Sequence, residues 1–348
     1  MSQEVPNLFP QPIKNVLVTG GAGFIGSTLV KRLLSDKNLK VFNLDKLGYA
    51  SNLKCINNFL NNNVFAKENY QFIKVDLTNY NETLEIINFV RPDLIFNLAA
   101  ESHVDRSIQT PRIFIESNII GTFNLLEASK IYWESLDNHR KEVFRLHHVS
   151  TDEVYGSLGS KGYFSEESCY DPRSPYSASK ASSDHLVKSW YHTFGLPTIL
   201  TNCGNNYGPW QFPEKLIPLA ITKAISNQPI PLYGDGLNVR DWIFVDDHID
   251  ALLSTVIHGK IGHSYCIGAS EQLTNLNVVQ DICNLLDLYL PKSTSYSSLI
   301  TLVEDRLGHD QRYAIDSTRL KQEIGWRPNY SFKKGLDLTV KWFIEHQE

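Results

Sequence analysis

The order of predicted strands and helices constrains the fold of this chain more than any other feature of its sequence. Over the first 200 residues, short apolar runs alternate with stretches of helical periodicity. This alternation is typical of a doubly wound parallel α/β sheet, which binds ligands beyond the carboxyl ends of its strands. The predicted strands are Val16–Thr19, Val41–Leu44, Phe72–Val75, Leu94–Leu98, Phe144–Val149 and Thr198–Leu200. The predicted helices are Phe24–Leu34, Tyr80–Val90, Ile113–Trp133 and Tyr176–Phe194.

The pattern becomes irregular after Asn202, where Gly and Pro interrupt it repeatedly. We therefore predict two domains in the 348-residue chain: the doubly wound sheet over residues 1–202, and a smaller mixed α/β domain over 203–348. The segment 241–256 has a strand-plus-helix pattern and is a candidate to pack back onto the first domain. A last helix is predicted over Phe332–His346, and the Asn-rich stretch Asn57–Asn63 is predicted to be a loop.

Composition excludes several classes of protein. The chain has 33 basic and 38 acidic side chains, a net charge of −5, which argues against a nucleic-acid partner. No apolar run approaches the roughly 18 residues of a membrane-spanning helix, and the N-terminus has no signal-peptide pattern. The five cysteines form no C-x-x-C motif, so neither a disulfide framework nor a zinc site is expected. These features predict a cytoplasmic protein with no membrane partner.

A glycine-rich loop joins the first predicted strand to the first predicted helix. Its glycines, Gly20, Gly23 and Gly26 among them, allow a tight turn and a close approach of backbone to a pyrophosphate. Asp45 lies 19 residues after Gly26, at the end of the second strand, where a carboxylate binds ribose hydroxyls and repels a 2′-phosphate. The combination predicts a Rossmann-type site for NAD rather than NADP. Asp76, after the third strand, is placed either to meet the adenine or to cap the next helix.

Two short motifs of ionisable residues follow the fifth predicted strand. Tyr176 and Lys180 are four residues apart on a predicted helix and so share a face, where the ammonium is expected to lower the pKa of the phenol. Asp152 and Glu153 follow the predicted strand that ends at Val149, with two residues between. Adjacent carboxyl groups in different environments can act as an acid and a base. A surface turn is the alternative interpretation of this acidic pair.

These motifs together resemble the extended short-chain dehydrogenase/reductase superfamily, over essentially the whole chain. Within that superfamily, an Asp-Glu pair at positions 152 and 153 is the mark of sugar-nucleotide 4,6-dehydratases rather than epimerases. Further segments make the resemblance closest to dehydratases that act on dTDP-glucose. These segments are Ala99–Ser107, Asn205–Pro209, Pro213–Pro218, Arg240–Trp242 and Asp305–Asp316.

The resemblance implies a role for each catalytic residue. Tyr176, assisted by Lys180, takes the proton of the sugar's C4 hydroxyl, and Thr151 hydrogen-bonds the same oxygen. Glu153 then removes the C5 proton, while Asp152 protonates the departing C6 hydroxyl. The roles require Asp152 to stay protonated and Glu153 to stay ionised.

The resemblance also implies an NAD site and a dTDP-glucose site. The residues expected at NAD are Gly20, Gly23, Phe24, Ile25, Gly26, Asp45, Lys46, Leu47, Asp76, Leu77, Ala99, Ala100, Ser117, Tyr176, Lys180 and Asn206. The residues expected at the nucleotide sugar are Ser102, Thr151, Asn205, Lys215, Leu216, Pro231, Tyr233, Arg240, Asn275, Arg306 and His309. No metal is expected, because Asp246-Asp-His248 suits a helix start and further ligands are not evident.

Several alternatives stay open at this level. The chain could dehydrate UDP- or CDP-glucose instead, or be a nucleotide-sugar epimerase. An alternative hypothesis from a different functional class is a regulatory protein that binds a dinucleotide without catalysing a reaction. Such a protein would not need Tyr176, Lys180 and the acidic pair, all of which are present. The resemblance further implies a homodimer formed by the helices at Ile113–Trp133 and Tyr176–Phe194, and a place in dTDP-rhamnose or other deoxysugar biosynthesis.

Overall fold

Twelve strands and thirteen α-helices form the part of the chain that the computed structural model describes, which is residues 8–9, 12–305 and 308–346. The strands are β1 Asn15–Thr19, β2 Lys40–Asp45, β3 Tyr70–Lys74, β4 Leu94–Asn97, β5 Arg145–Thr151, β6 Thr198–Cys203, β7 Asn205–Tyr207, β8 Ile230–Tyr233, β9 Val239–Phe244, β10 Ser264–Ile267, β11 Gln272–Thr274 and β12 Ile300–Val303. The helices are α1 Phe24–Leu33, α2 Lys54–Asn61, α3 Val64–Glu68, α4 Tyr80–Val90, α5 Val104–Gln109, α6 Pro111–Phe114, α7 Gly121–Glu134, α8 Asn138–Val143, α9 Pro175–Phe194, α10 Leu216–Ile225, α11 Val245–His258, α12 Asn275–Tyr289 and α13 Phe332–Glu345.

A seven-stranded parallel sheet organises the first 200 residues. Its order is β10-β6-β5-β4-β1-β2-β3, and every neighbouring pair is parallel. The central strands are apolar on both faces because helices cover both, and Val16, Leu17 and Val18 of β1 are fully buried. The chain winds outward from β1 in one direction and from β4 in the other. The predicted doubly wound Rossmann-type fold is therefore confirmed, and its switch point lies between β1 and β4.

A smaller mixed lobe follows, as predicted for the C-terminal part. It contains the sheet β11-β9-β7, in which β9 is antiparallel to β11 and parallel to β7, and the parallel pair β12-β8. A separate apolar core fills this lobe, built mainly from α10, α12 and α13. The candidate segment 241–256 divides between the lobes: its strand joins the small sheet, whereas α11 packs against α1. The strand that returns to the large sheet is β10, paired with β6.

The Asn-rich stretch differs from its prediction. Residues 54–61 form α2, with Cys55, Ile56 and Leu60 buried. These three apolar positions share a helix face, and their burial outweighs the weak helix propensity of asparagine. The prediction of a loop was wrong because polar composition concealed that apolar spacing.

Two further properties bear on the site. All five cysteines are free thiols, and four of them are buried. No helix within the described ranges combines the length and the apolar character needed to cross a membrane.

Candidate active site

A cavity of about 470 Å³ lies where the carboxyl ends of the parallel strands meet the small lobe. The loops after β1, β2, β4, β5 and β6 form one wall, and residues of the small lobe form the other. This is the position expected for a ligand at the switch point of a doubly wound sheet. Both groups of predicted functional residues converge on it.

The glycine loop after β1 forms a cradle at one end of the cavity. Gly20 has a φ of +70°, which favours glycine, and its N–H donates to the Leu44 carbonyl. A Cβ on Gly26 would lie 2.2 Å from the Gly20 carbonyl oxygen, so only glycine fits there. Helix α1 begins at Phe24 without a side-chain cap and without an acidic residue in its first turn. Its unsatisfied N–H groups and positive dipole end suit an anionic diphosphate.

Asp45 lies at the end of β2 beside this cradle. The carboxylate accepts hydrogen bonds from the Ala22 N–H at 3.0 Å and from the Leu47 N–H at 2.7 Å. These bonds fix the carboxylate at the cavity wall, and each oxygen keeps a second lone pair for a ribose hydroxyl. Leu47 contributes this backbone donor but is not among the residues that line the cavity. Asp76 does line it, and Asn79 rather than Asp76 caps the next helix.

The other predicted cofactor residues surround the same space. Lys46 forms an ion pair of 2.9 Å with Glu101 and reaches Ser117 Oγ at 3.3 Å. The remaining predicted residues on the cavity wall are Gly20, Gly23, Phe24, Ile25, Gly26, Leu77, Ala99, Ala100 and Asn206. The glycine cradle, the uncapped helix start and the Asp45 carboxylate together fit an NAD molecule.

The acidic pair occupies a single 3₁₀ turn directly after β5. The Thr151 hydroxyl accepts a hydrogen bond from the Glu153 N–H at 3.2 Å and donates to Asp152 Oδ1 at 3.3 Å. Asp152 is buried, and burial together with the nearby charge of Glu153 raises its pKa well above the ordinary value. Glu153 is more accessible to the cavity. The surface-turn interpretation does not apply to Asp152, and the two carboxyl groups occupy different environments.

Tyr176 and Lys180 lie one turn apart at the start of α9, and both line the cavity. A capping box between Ser174 and Ser177 fixes this helix end. The Lys180 ammonium donates to the Val149 carbonyl at 2.9 Å. Burial and then Glu153 raise the pKa of Tyr176, so the expected lowering by Lys180 is wrong for the protein alone. The spacing could not reveal how deeply the phenol is buried.

Behind Lys180 is a buried polar network that the sequence did not reveal. The Nε2 of His148 lies 3.5 Å from Lys180 Nζ and 3.4 Å from Asp184 Oδ1. Its Nδ1 is 2.9 Å from Asn97 Nδ2, and Asn97 in turn accepts from the Thr19 hydroxyl. The network connects three neighbouring strands to α9.

The small lobe supplies the opposite wall. Arg240 is buried there, and its guanidinium donates to the carbonyls of Val239 at 2.8 Å and Asp310 at 2.9 Å. Lys215 donates to the Ser102 carbonyl at 2.8 Å across the cavity. The other predicted substrate residues that line the cavity are Asn205, Leu216, Pro231, Tyr233, Asn275 and His309. Arg306 lies outside the described residues.

Several lining residues escaped prediction. Tyr313 lies in the Asp305–Asp316 segment and donates to the Asp310 carboxylate, and burial and the Glu153 charge raise its pKa. Tyr49 donates to Glu214 at 2.9 Å, a contact between the loop after β2 and the small lobe. Tyr313 was within a segment already singled out. Glu214 also lies in a segment already singled out, but its contact with Tyr49 had no local signal, because the two residues are 165 positions apart.

Asp246, Asp247 and His248 lie at the first turn of α11, as expected for a helix start. Asp247 accepts from the backbone N–H groups of Asn329 and Tyr330, and His248 pairs with Asn206. In the described part of the chain, His, Cys, Asp and Glu side chains form no group of three that could hold a metal ion.

Comparisons with known proteins agree with this geometry. The family model for GDP-mannose 4,6 dehydratase matches residues 17–339. The dTDP-glucose 4,6-dehydratase of Neisseria meningitidis serogroup B is 48% identical over 340 residues, covering 96% of this chain and 94% of that protein.

Two solved structures are similar over nearly the whole chain. The dTDP-glucose 4,6-dehydratase of Bacillus anthracis, in complex with NAD, has a TM-score of 0.83 and 42% identity, covering 96% of this chain and 97% of that one. DesIV of Streptomyces venezuelae, a dTDP-glucose 4,6-dehydratase with NAD bound, has a TM-score of 0.85 and 40% identity, covering 95% and 97%.

Proposed function

The chain belongs to the dTDP-glucose 4,6-dehydratase family, and we propose that it converts dTDP-glucose to dTDP-4-keto-6-deoxyglucose at the cavity described above. One observation carries the proposal. A buried acid whose pKa is raised, Asp152, adjoins a more accessible carboxyl, Glu153, in the same cavity as Tyr176 and Lys180. Elimination of water requires one group that gives a proton and one that takes it, and this pair meets both requirements.

NAD is the proposed cofactor. The glycine cradle and the start of α1 would hold its diphosphate, and Asp45 would hold the adenosine ribose. When bound, NAD supplies the acceptor for a hydride from the sugar's C4 and the donor that later reduces C6. Because the same molecule does both, the reaction needs no external redox partner.

The first chemical task is to oxidise C4, because a ketone at C4 makes the C5 proton acidic. In the NAD-loaded protein Tyr176 would accept the proton of the C4 hydroxyl as general base, and Lys180 on the same helix face would stabilise the phenolate against the opposing effects of burial and Glu153. The Thr151 hydroxyl, which already donates toward Asp152, would hydrogen-bond the C4 oxygen. The chain's own residues thus orient the hydroxyl and hold its proton.

The second task is the loss of water across C5 and C6. Glu153 takes the C5 proton, and the electron pair of the C5–H bond delocalises onto the C4 carbonyl. The C6–O bond then breaks as Asp152 gives its proton to the departing hydroxyl, which leaves as water. Asp152 Oδ2 is buried and has no hydrogen-bond partner among the described residues, so no described protein group competes with the substrate for a proton on that oxygen. Reprotonation of C5 completes the 4-keto-6-deoxy sugar.

The nucleotide diphosphate of the substrate would bind on the small-lobe wall. Arg240 is the main cation there, and its bonds to neutral carbonyls leave its charge available for a phosphate. The Lys215–Leu216 stretch would contact the nucleotide, with Pro231 and Tyr233 around the base and Ser102 near the sugar. Asn205, Asn275 and His309 are further donors on the cavity wall, and Arg306 is retained as a proposed diphosphate ligand.

Each of the two lobes would bind one of the two ligands. Residues 1–202 would bind NAD, and residues 203–348 would bind the nucleotide sugar, with α11 and β10 returning to the first lobe.

Five free thiols, one of them exposed, support a reducing cytoplasmic location. The product would feed dTDP-rhamnose or another deoxysugar pathway.

A homodimer is the proposed assembly. Helices α6, α7 and α9, with the π-helical segment Ile115–Ile120 that joins α6 to α7, expose large apolar side chains. These include Ile113, Ile120, Phe123, Ile131 and Phe194, each between 39% and 46% exposed. Phe123 packs edge-to-face on Trp190 of α9 at 5.8 Å, which joins the two helices into one apolar face. Two copies of that face would form a four-helix bundle.

Mass spectrometry of the purified protein with dTDP-, UDP- and CDP-glucose tests the proposal. We expect dTDP-glucose to lose the mass of one water, with little change in the other two sugars. Loss of water from UDP- or CDP-glucose alone would move the substrate assignment. A change of sugar stereochemistry without a mass change would replace the dehydratase with an epimerase.

A further inference from the structure

Helix α9 carries a third functional group on the face that holds Tyr176 and Lys180. Asp184 follows Lys180 by four residues, so the three side chains share a helix face, and Asp184 is fully buried. We propose that Asp184 is a positioning residue whose carboxylate compensates the buried Lys180 ammonium and thereby keeps it charged on the face that Tyr176 shares. Its catalytic consequence rests on the proposed dehydratase function.

The surroundings of Asp184 favour the ionised carboxylate. Its Oδ2 accepts hydrogen bonds from the Ser150 hydroxyl at 2.9 Å, the Tyr170 hydroxyl at 2.9 Å and the Asn202 amide at 3.1 Å. Burial alone would raise the pKa of Asp184, but the hydrogen bonds and the charges near it hold the pKa below its usual value. Three donors on one oxygen stabilise the charged form and fix its position.

Lys180 requires such a partner. Its ammonium is buried, and its 2.9 Å hydrogen bond goes to the Val149 carbonyl, which has no formal charge. A buried cation without a compensating anion is costly and tends to lose its proton. Burial lowers the pKa of Lys180, and the charge of Asp184 opposes that lowering. Asp184 is thus the carboxylate that preserves the ammonium.

His148 separates the pair without replacing either charge. Its Nδ1 faces the Asn97 amide donor, so the ring proton is on Nε2, which faces both Lys180 and Asp184. Burial and then Lys180 lower the pKa of His148 to about 4, so the ring is neutral at physiological pH. A neutral Nε2–H cannot accept from Lys180, and Asp184 Oδ1, 3.4 Å away, has no hydrogen-bond partner among the described residues. The imidazole therefore lies between the two charges without compensating either.

The other titratable groups around the pair are also neutral near pH 7. Burial raises the pKa of the Cys203 thiol to about 12, and burial likewise raises the pKa values of Tyr155 and Tyr170. The charges of this buried cluster therefore reside on Lys180 and Asp184. Removing one leaves the other uncompensated.

The first test is Asp184→Asn in the full-length, NAD-loaded protein. We expect kcat to fall by about tenfold or more, with KM for dTDP-glucose within about twofold, since Asp184 lies behind the cavity wall. The alkaline limb of the kcat pH profile should move to lower pH, because Lys180 loses its proton more easily. Tyr170→Phe is the matched control: it removes one hydrogen bond, keeps the charge, and should leave the limb in place.

The second test does not depend on the reaction. Lys180→Met, Asp184→Asn and the double variant form a cycle of unfolding free energies. We expect each single variant to be destabilised by an unpaired buried charge and the double variant to be less destabilised than their sum. Additive destabilisation, or an Asp184→Asn enzyme with wild-type kcat and pH profile, overturns the proposal. Non-additive unfolding free energies in a protein that dehydrates no nucleotide sugar would support the Lys180–Asp184 charge pair. The same result would overturn the proposed dehydratase function.

Discussion

The Thr151 hydroxyl donates to one oxygen of the Asp152 carboxyl at 3.3 Å, and the other oxygen, Oδ2, is buried without a partner among the described residues. Burial and the adjacent Glu153 make ionisation of Asp152 unfavourable. The surroundings of the proposed acid therefore favour its protonated form, and one of its oxygens has no protein partner among the described residues. Thr151 belongs to the same turn, so one local structure serves both the C4 oxygen and the C6 hydroxyl.

Asp152→Asn should lower the dehydration rate by about 10²-fold or more while leaving C4 oxidation intact, because the amide keeps the shape but cannot give up a proton. The pH profile of the unaltered protein follows from the raised pKa. The acid form of Asp152 persists to higher pH than that of an ordinary aspartic acid, and its loss as pH rises should add to the loss of activity caused by deprotonation of Lys180. Steady-state rates against pH measure both effects. Full activity in the Asp152→Asn enzyme would remove Asp152 from the mechanism.

Glu153→Gln should abolish release of water and still allow the first oxidation. Absorbance of reduced nicotinamide should then build up on addition of dTDP-glucose, because C4 is oxidised but the C5 proton is not removed. Stopped-flow absorbance with product analysis measures this. Glu68→Gln, an exposed glutamate on α3, is the control and should behave as the unaltered protein. Dehydration at the normal rate in the Glu153→Gln enzyme would contradict the assignment.

Gly26→Ala should lower NAD retention by about tenfold or more. The added Cβ would lie 2.2 Å from the Gly20 carbonyl oxygen, a contact that forces the backbone of the cradle to move. Gly159→Ala is the matched control, because a Cβ added there would have no heavy atom within 4 Å outside its chain neighbours. NAD content after gel filtration compares the two. Equal retention would show that the cradle does not hold the diphosphate.

Three buried histidines should make the fold sensitive to acid. Burial lowers the pKa of His147 to about 3, of His148 to about 4 and of His248 to about 3. Below the unfolded-state pKa of about 6.5, the unfolded chain takes up protons that the folded chain excludes, so stability is full above that pH and falls toward pH 4. Each histidine contributes a slope of up to about 1.4 kcal/mol per pH unit.

Urea unfolding at several pH values measures this slope. His147→Gln should reduce it by about one proton, whereas His192→Gln, at an exposed position, should leave it unchanged. Equal slopes in both variants would mean that His147 is protonated in the folded state.

Phe123→Glu should convert the proposed homodimer to a monomer, because it puts a charge in the centre of the apolar face of α7 and α9. Leu288→Glu on α12 is the control, since Leu288 is more exposed, at 68%, but lies on the other lobe. Sedimentation or light scattering determines the mass. A Phe123→Glu protein that stays dimeric would place the interface elsewhere.

Local patterns in the sequence carried much of this structure. The apolar runs that became β1, β4, β5 and β6 are continuous because both faces of each strand are buried, which needs no knowledge of partners. The glycine loop and Asp45 also follow a local rule, since the loop, strand and helix that make the site are consecutive in the chain.

Other features depend on contacts that sequence does not display. The hydrogen bond from Tyr170 to Asp184 exists only after the loop before α9 packs against that helix, and the approach of His148 to Lys180 only after β5 packs against it. The raised pKa of Tyr176 comes from burial, which the Tyr-Lys spacing does not reveal. Helix α2 was not predicted from the sequence, because its apolar face is short and its other residues are mostly asparagine.

Deuterium incorporation during turnover tests the central claim most directly. The reaction is run with dTDP-glucose in deuterated water, and the product is characterised by mass spectrometry and NMR. We predict loss of one water, one deuterium at C5 from reprotonation after Glu153 has taken the original proton, and no net reduction of the cofactor. A product that has lost water but carries hydrogen at C5, or steady accumulation of reduced cofactor, would contradict the mechanism.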